Sequence, residues 1–158
     1  MTPQQLTTLR DYIRSVPAWA ALPVNSDTSY FIADELRKDA TPAFVVWRSS
    51  VTQDEIMQNG FDWTRVDNLS IGKARIWEWL FSNDARSFNP SKPNVRSGID
   101  QCWGGTAADL AVRAAVYAHC KRLATRFERI FATGTGSAAD PGIAVIDGVV
   151  GYAEFIGL

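Results

Sequence analysis

The chain has 158 residues, 46% of them hydrophobic, with 16 Lys+Arg against 17 Asp+Glu and a formal net charge of −1. That length and apolar content suffice for one domain with a buried core. The near-zero charge, without a polybasic tail or an acidic run, excludes a global basic field for nucleic acid. No apolar run approaches the roughly 20 residues of a membrane helix and the N-terminus lacks a signal-peptide pattern, so the reading is a protein with no membrane contact, folded in the cytoplasm.

Thr2-Pro3-Gln4-Gln5 combines a capping Thr, a Pro suited to the first helical position and a Gln that can reach back, and predicts a helix to about Ser15 with Leu6, Leu9, Ile13 and Val16 inward. Pro17 ends it. Ser26 or Asp27 is expected to cap a second helix, Thr28 to Lys38, with Phe31, Ile32 and Leu36 buried, before Ala40-Thr-Pro42 breaks it. Phe44 to Val51 reads either as a strand or as an extended connector. Thr52-Gln-Asp-Glu55 repeats the capping-box pattern, with Gly60 as a stop. A longer helix is expected from about Asp67 to Phe81. Another begins at Asn89-Pro90 or Lys92-Pro93 and carries Val95, Ile99, Cys102 and Trp103 to Gly104-Gly105.

Thr106 to Thr133 reads as one long helix, capped by Thr106 with Asp109 three residues on and stopped by Gly134. At about 100° per residue, Leu110, Ala114, Val116, Tyr117, Cys120, Leu123, Ala124, Phe127, Ile130 and Phe131 form a broad apolar arc. His119, Arg122, Arg126 and Arg129 then form a narrow basic stripe, facing solvent or an acidic surface. Arg113 lies inside the apolar arc and needs a carboxylate or a subunit contact, because an unpaired buried guanidinium is costly. Asp147-Gly148 between two β-branched runs predicts a terminal hairpin over about 143–155, with Ile143, Val145, Val149, Val150, Tyr152 and Phe155 seeking a partner surface. The expected fold is mainly α: a helical bundle around one long central helix at about 106–133, with residues 1–142 as the body and 143–158 as a C-terminal hairpin within one domain.

The chemistry-bearing residues are few. The single histidine, His119, stands beside Cys120, but sequence neighbours on a helix point about 100° apart and do not form a Cys-His pair. Gly134-Thr-Gly136-Ser137 follows a helix rather than a strand and lacks the Gly-Lys-Ser/Thr ending of a phosphate loop. Asp34, Glu35, Asp54 and Glu55 sit at helix starts or on polar faces. Cys102 and Cys120 are read as buried free thiols. No catalytic, metal or cofactor site is expected, so the reading is a structural or binding protein rather than an enzyme. Six tryptophans suit a core or an interface. Trp77 and Trp79 cannot both face one way on a helix, so one of them is an interface candidate.

Phe44-Val-Val-Trp-Arg48, Gly60 to Arg65, Val66 to Trp79, Asn89 to Arg96 and Lys121 to Ser137 together resemble small structural proteins encoded among the virion genes of tailed bacteriophages, specifically head–tail adaptor, or neck, proteins. The resemblance covers most of residues 44 to 158. It implies a ring of about twelve copies beneath the portal, linking it to tail or nozzle proteins at the head–tail junction of the virion, with genomic DNA passing through the channel. It further implies that Ile143 to Leu158 docks on the portal or on a neighbouring subunit. The stripe His119, Arg122, Arg126 and Arg129 would face the portal or the DNA. The terminal hairpin departs from a simple helical adaptor. A tail-completion or tail-terminator protein shares the same features, and a DNA-binding regulator and a small enzyme are the other readings.

Overall fold

Helix starts in this chain are set largely by side chains that take up the orphan N–H groups of the first turn. Thr2 accepts from the Gln5 backbone and Gln5 returns the bond to the Thr2 N–H, opening α1 (Pro3–Ser15). The computed structural model describes residues 1–58, 61–146 and 148. It is about half helical, with nine helices, a three-stranded sheet and a two-stranded sheet among the described residues. The chain divides into two compact units, Met1–Val46 with Leu123–Leu158, and Trp47–Arg122. No helix among the described residues is long and apolar enough to cross a membrane.

In the first unit, Pro17 ends α1 and also opens a short α2 (Pro17–Ala20), where its missing N–H costs nothing. The next helix, α3 (Ser26–Arg37), is capped by Asn25, which accepts from the Thr28 N–H at 2.9 Å. The cap lies one or two residues earlier than the Ser26 or Asp27 that the sequence suggests. Ser29, Ile32, Ala33 and Leu36 lie at i, i+3, i+4 and i+7 and are buried. Phe31 falls off that arc and is exposed, contrary to expectation. Leu9, Trp19, Ile32, Ala33, Leu36 and Phe127 form the core of this unit. Burial of each larger apolar side chain stabilises by roughly 1.5–3 kcal/mol.

The expected 28-residue helix is not continuous. It is three elements: α8 (Ala107–His119), strand β4 (Lys121–Leu123) and α9 (Arg126–Phe131). The backbone around Cys120 is drawn off by β1 (Val45–Trp47) and the residues flanking it: the Arg48 N–H donates to Cys120 O at 2.9 Å, and the Ala124 N–H donates to Phe44 O at 2.8 Å. Thr125 then starts a fresh helix with a capping box to Glu128. Strand order in the larger sheet is β4-β1-β5, where β5 is Gly142–Ile143. Ile143 and Thr133 exchange backbone bonds at 2.9 and 3.0 Å. Gly136 has φ +68, and a Cβ there would lie 2.2 Å from the Phe44 ring, so Gly136 serves close packing on Phe44. Of the expected hairpin, Ile143, Ala144, Val145, Ile146 and Gly148 are described, and the remaining residues, with Val149, Val150, Tyr152 and Phe155, lie outside the described residues.

The second unit pairs β2 (Val51–Thr52) antiparallel with β3 (Ser87–Phe88). Thr52 and Glu55 form the capping box of α4 (Gln53–Ile56). Its end is at Met57, and Gly60 lies outside the described residues. The expected helix from Asp67 to Phe81 is two helices, α5 (Trp63–Asp67) and α6 (Ile71–Leu80). Asn68 caps the first and Ser70 begins the second, both residues whose side chains favour helix ends over interiors. Pro93, not Pro90, opens α7 (Pro93–Cys102). Trp77, Trp103, Phe61, Phe81 and Phe88 pack edge-on or stacked, with Trp77 and Trp103 centroids 5.3 Å apart, over Ile99, Val112 and Val116. Arg48 braces two helix ends in this unit. It donates to His119 O at 3.1 Å and to Glu55 at 2.6 Å, and Glu55 also accepts from the Thr52 N–H at 2.8 Å.

Candidate interaction site

Shortening the central helix dissolves the basic stripe. His119 and Arg122 belong to the second unit and Arg126 and Arg129 to the first, and no single helix face carries all four. Arg126 donates to Glu35 at 2.7 Å, and Arg129 donates to Pro42 O at 2.9 Å. Glu35 is pulled below the ordinary carboxylate value by Lys38, which hydrogen-bonds it, and by Arg126. Both bonds lie within unit 1. His119 is the last residue of α8, where a cation suits the negative end of the helix, and Arg122 lies in β4.

Arg113 finds its carboxylate one helix away, at Asp100 of α7, 3.4 Å off. Asp100 also accepts from the Tyr117 hydroxyl at 2.9 Å, and burial together with this carboxylate raises the Tyr117 pKa. Trp47 lies under two cations, with Arg96 4.8 Å and Lys121 5.3 Å from its ring centre. The carboxylate expected beside Arg113 is therefore present, whereas the Trp47 cluster joins residues 49 and 74 positions away that no sequence pattern connects. At the start of α8, Asp109 accepts from Arg65 and from the Thr106 N–H, and the Arg65 bond is the larger cause of its depressed pKa.

The two neighbouring tryptophans of α6 point apart. Trp77 is 4% exposed and Trp79 is 67% exposed. Trp79 shares its face with Ile71, 81% exposed, and with exposed Arg75 and Glu78. Beside it runs an open cleft of about 380 Å³ bordered by Leu80, Phe88 and Val95. On α8, Ala107, Ala108, Leu110, Ala111, Ala114, Ala115 and Ala118 are all exposed and cover an uncharged arc of about 160°. The alanine spacing was visible in the sequence, but the apolar arc was read as buried. In the first unit, Val145 is exposed beyond the half-buried Ile143.

The chain matches no family model, no curated protein and no solved structure. What the surface can do follows from the chemistry of the residues themselves. Cys102 and Cys120 are free and buried, and desolvation pushes their thiols up to about 11 and about 12, so neither supplies a thiolate near neutral pH. No group of three or more His, Cys, Asp or Glu among the described residues could hold a metal ion. The bare Trp79–Ile71 face suits macromolecular contact, since a flat exposed indole gains most from being covered by a complementary surface.

Proposed function

We propose that this chain is a head–tail adaptor of a tailed bacteriophage, assembling as a ring of about twelve copies beneath the portal and joining it to the tail, with DNA passing through the channel. The observation that carries this reading is the exposed aromatic face of α6, Trp79 beside Ile71, set directly opposite the buried Trp77. A ring subunit needs unlike surfaces for its two neighbours and a further surface for the portal. The uncharged alanine face of α8 supports the reading as a second place where a helix could approach closely. The segment from Ile143 onward is the proposed docking segment. The DNA-facing basic stripe drops out, because Arg126 and Arg129 are engaged by Glu35 and Pro42.

The test is native mass spectrometry of the purified chain mixed with the portal protein of the same genome. A portal complex carrying about twelve copies supports the adaptor reading. An intact portal ring that binds no copy refutes it, and tail proteins become the partners to test for a tail-completion role. Deletion of residues 149–158 separates docking from folding, because Ile143 and Ile146 belong to the packing of unit 1 and are retained. The truncated chain should remain folded and lose portal attachment.

A further inference from the structure

The first unit contains a cleft that neither its core packing nor the adaptor reading uses. It offers about 140 Å³ between α1, α2 and the start of α3. Arg10 and Arg14, one turn apart on α1, line one side. Trp19 and Ile32, both buried, form an apolar wall, and Thr28 and Ser29 bring hydroxyl groups from α3. No carboxylate lines the cleft.

The two guanidinium groups set this cleft apart from the other charged clusters. Arg48, Arg65, Arg113 and Arg126 each have a carboxylate partner, whereas Arg10 and Arg14 make no ion pair among the described residues. Arg14 lies in the last turn of α1, where the helix dipole favours a cation. Arg10 has no such compensation. Its Nε is buried and has no hydrogen-bond partner. A buried donor on a charged group, left unpaired, costs more than a neutral one, and an oxyanion is the acceptor that repays it best. Two arginines at i, i+4 spacing stand on one helix face, where both can reach a single carboxylate or phosphate group. The indole of Trp19 and the side chain of Ile32 would cover an apolar body attached to that group.

We propose that this cleft binds a small organic anion, a phosphate or carboxylate head carried on an aromatic or aliphatic body, with Arg10 and Arg14 holding the head and Trp19 and Ile32 covering the body. The cleft selects against neutral molecules, which leave both cations unpaired, and against bare inorganic anions, which leave the apolar wall uncovered.

The test uses the full chain labelled with ¹⁵N and follows the arginine Nε–H resonances while phenylphosphate, inorganic phosphate or phenol is added. Phenylphosphate should shift the Arg10 and Arg14 resonances saturably. Inorganic phosphate should bind at least about tenfold more weakly, and phenol should leave both unmoved. Arg10→Gln and Arg14→Gln should each weaken phenylphosphate binding by roughly 10- to 100-fold, as expected for loss of a charge-assisted bond. Arg10→Lys keeps the charge without the Nε donor and should fall between, which keeps the test decisive if Arg10→Gln does not fold. The proposal is overturned if phenylphosphate produces no saturable shift by about 10 mM, a loose bound for a ligand of this size. It is equally overturned if the exposed Arg75 responds as strongly as Arg10, or if Arg14→Gln binds like the parent chain.

Discussion

Replacing Gly136 with alanine probes the loop that follows α9. The added Cβ would lie 2.2 Å from Cδ2 of Phe44 and 2.3 Å from Cε2, more than 1 Å inside ordinary contact, so the ring must move. Overpacking of this kind costs about 1–3 kcal/mol. The backbone adds to it, because φ at this position is +68, where a residue with a Cβ pays roughly 1–2 kcal/mol. The sum is about 2–5 kcal/mol, and at about 2–4 °C per kcal/mol for a chain of this size the melting temperature should fall by roughly 10 °C. Circular dichroism at a helical wavelength reads the change. Phe44→Ala in the same chain removes the overlap and leaves the φ cost, so the double variant should be at least about 1 kcal/mol more stable than the sum of the singles predicts. Gly72→Ala is the control: nothing lies within 4 Å of its added Cβ, and alanine inside α6 should stabilise by up to about 1 kcal/mol. A Gly136→Ala chain that melts with the parent, or a double variant that is merely additive, would refute the reasoning.

Thr125→Ala removes the acceptor for the Glu128 N–H at 3.1 Å and should cost about 1 kcal/mol by urea denaturation, since α9 has only 6 residues over which to recover it. Asp109 is held below its ordinary value of 3.8 by Arg65, so its contribution is present above that value and is lost as pH falls through the depressed folded one. Glu55, lowered first by the Thr52 backbone bond and then by Arg48, acts with the same sign below its ordinary 4.5. Melting temperature should therefore drop on acidification below about pH 4, and Asp109→Asn should be less stable at neutral pH with a flatter acid limb. An unchanged acid limb would count against the Arg65 pair. Trp79→Ser should change stability by no more than about 0.5 kcal/mol, yet weaken portal attachment by roughly tenfold in a pull-down titration if α6 is an interface.

Helix starts were the most legible feature of the chain. Thr2, Thr52 and Thr106 each announce a box three residues ahead, and the helices begin beside them. The same pattern at Thr125-Arg-Phe-Glu128 is hidden because the surrounding Ala, Leu, Arg and Lys favour continuing a helix, and propensity alone cannot see that Phe44 and Arg48 claim the backbone between 120 and 124. Ser70 is hidden for a similar reason, inside an apolar pattern that runs past it. Trp77 and Trp79 were separable by angle, but only the core decides which of them is buried. The partners of Arg126 and Arg113 were not legible: Glu35 is 91 residues from Arg126, and Asp100 lies on a different helix from Arg113. Arg10 carries no sequence signal at all, since what marks it is the missing acceptor at a buried nitrogen.

The brace at Arg48 carries a consequence for how this chain can vary. One guanidinium holds the His119 carbonyl at the end of α8 and the carboxylate that caps α4, so Arg48, Thr52, Glu55 and the His119 carbonyl are a single mechanical joint rather than four independent groups. Loss of Arg48 or Glu55 alone leaves the other's charge unpaired in a partly buried site, whereas joint replacement does not. Among divergent copies of this gene, Arg48 and Glu55 should be kept together or lost together, and a lineage that has lost both should end its α8 with a different device, such as a glycine just after His119.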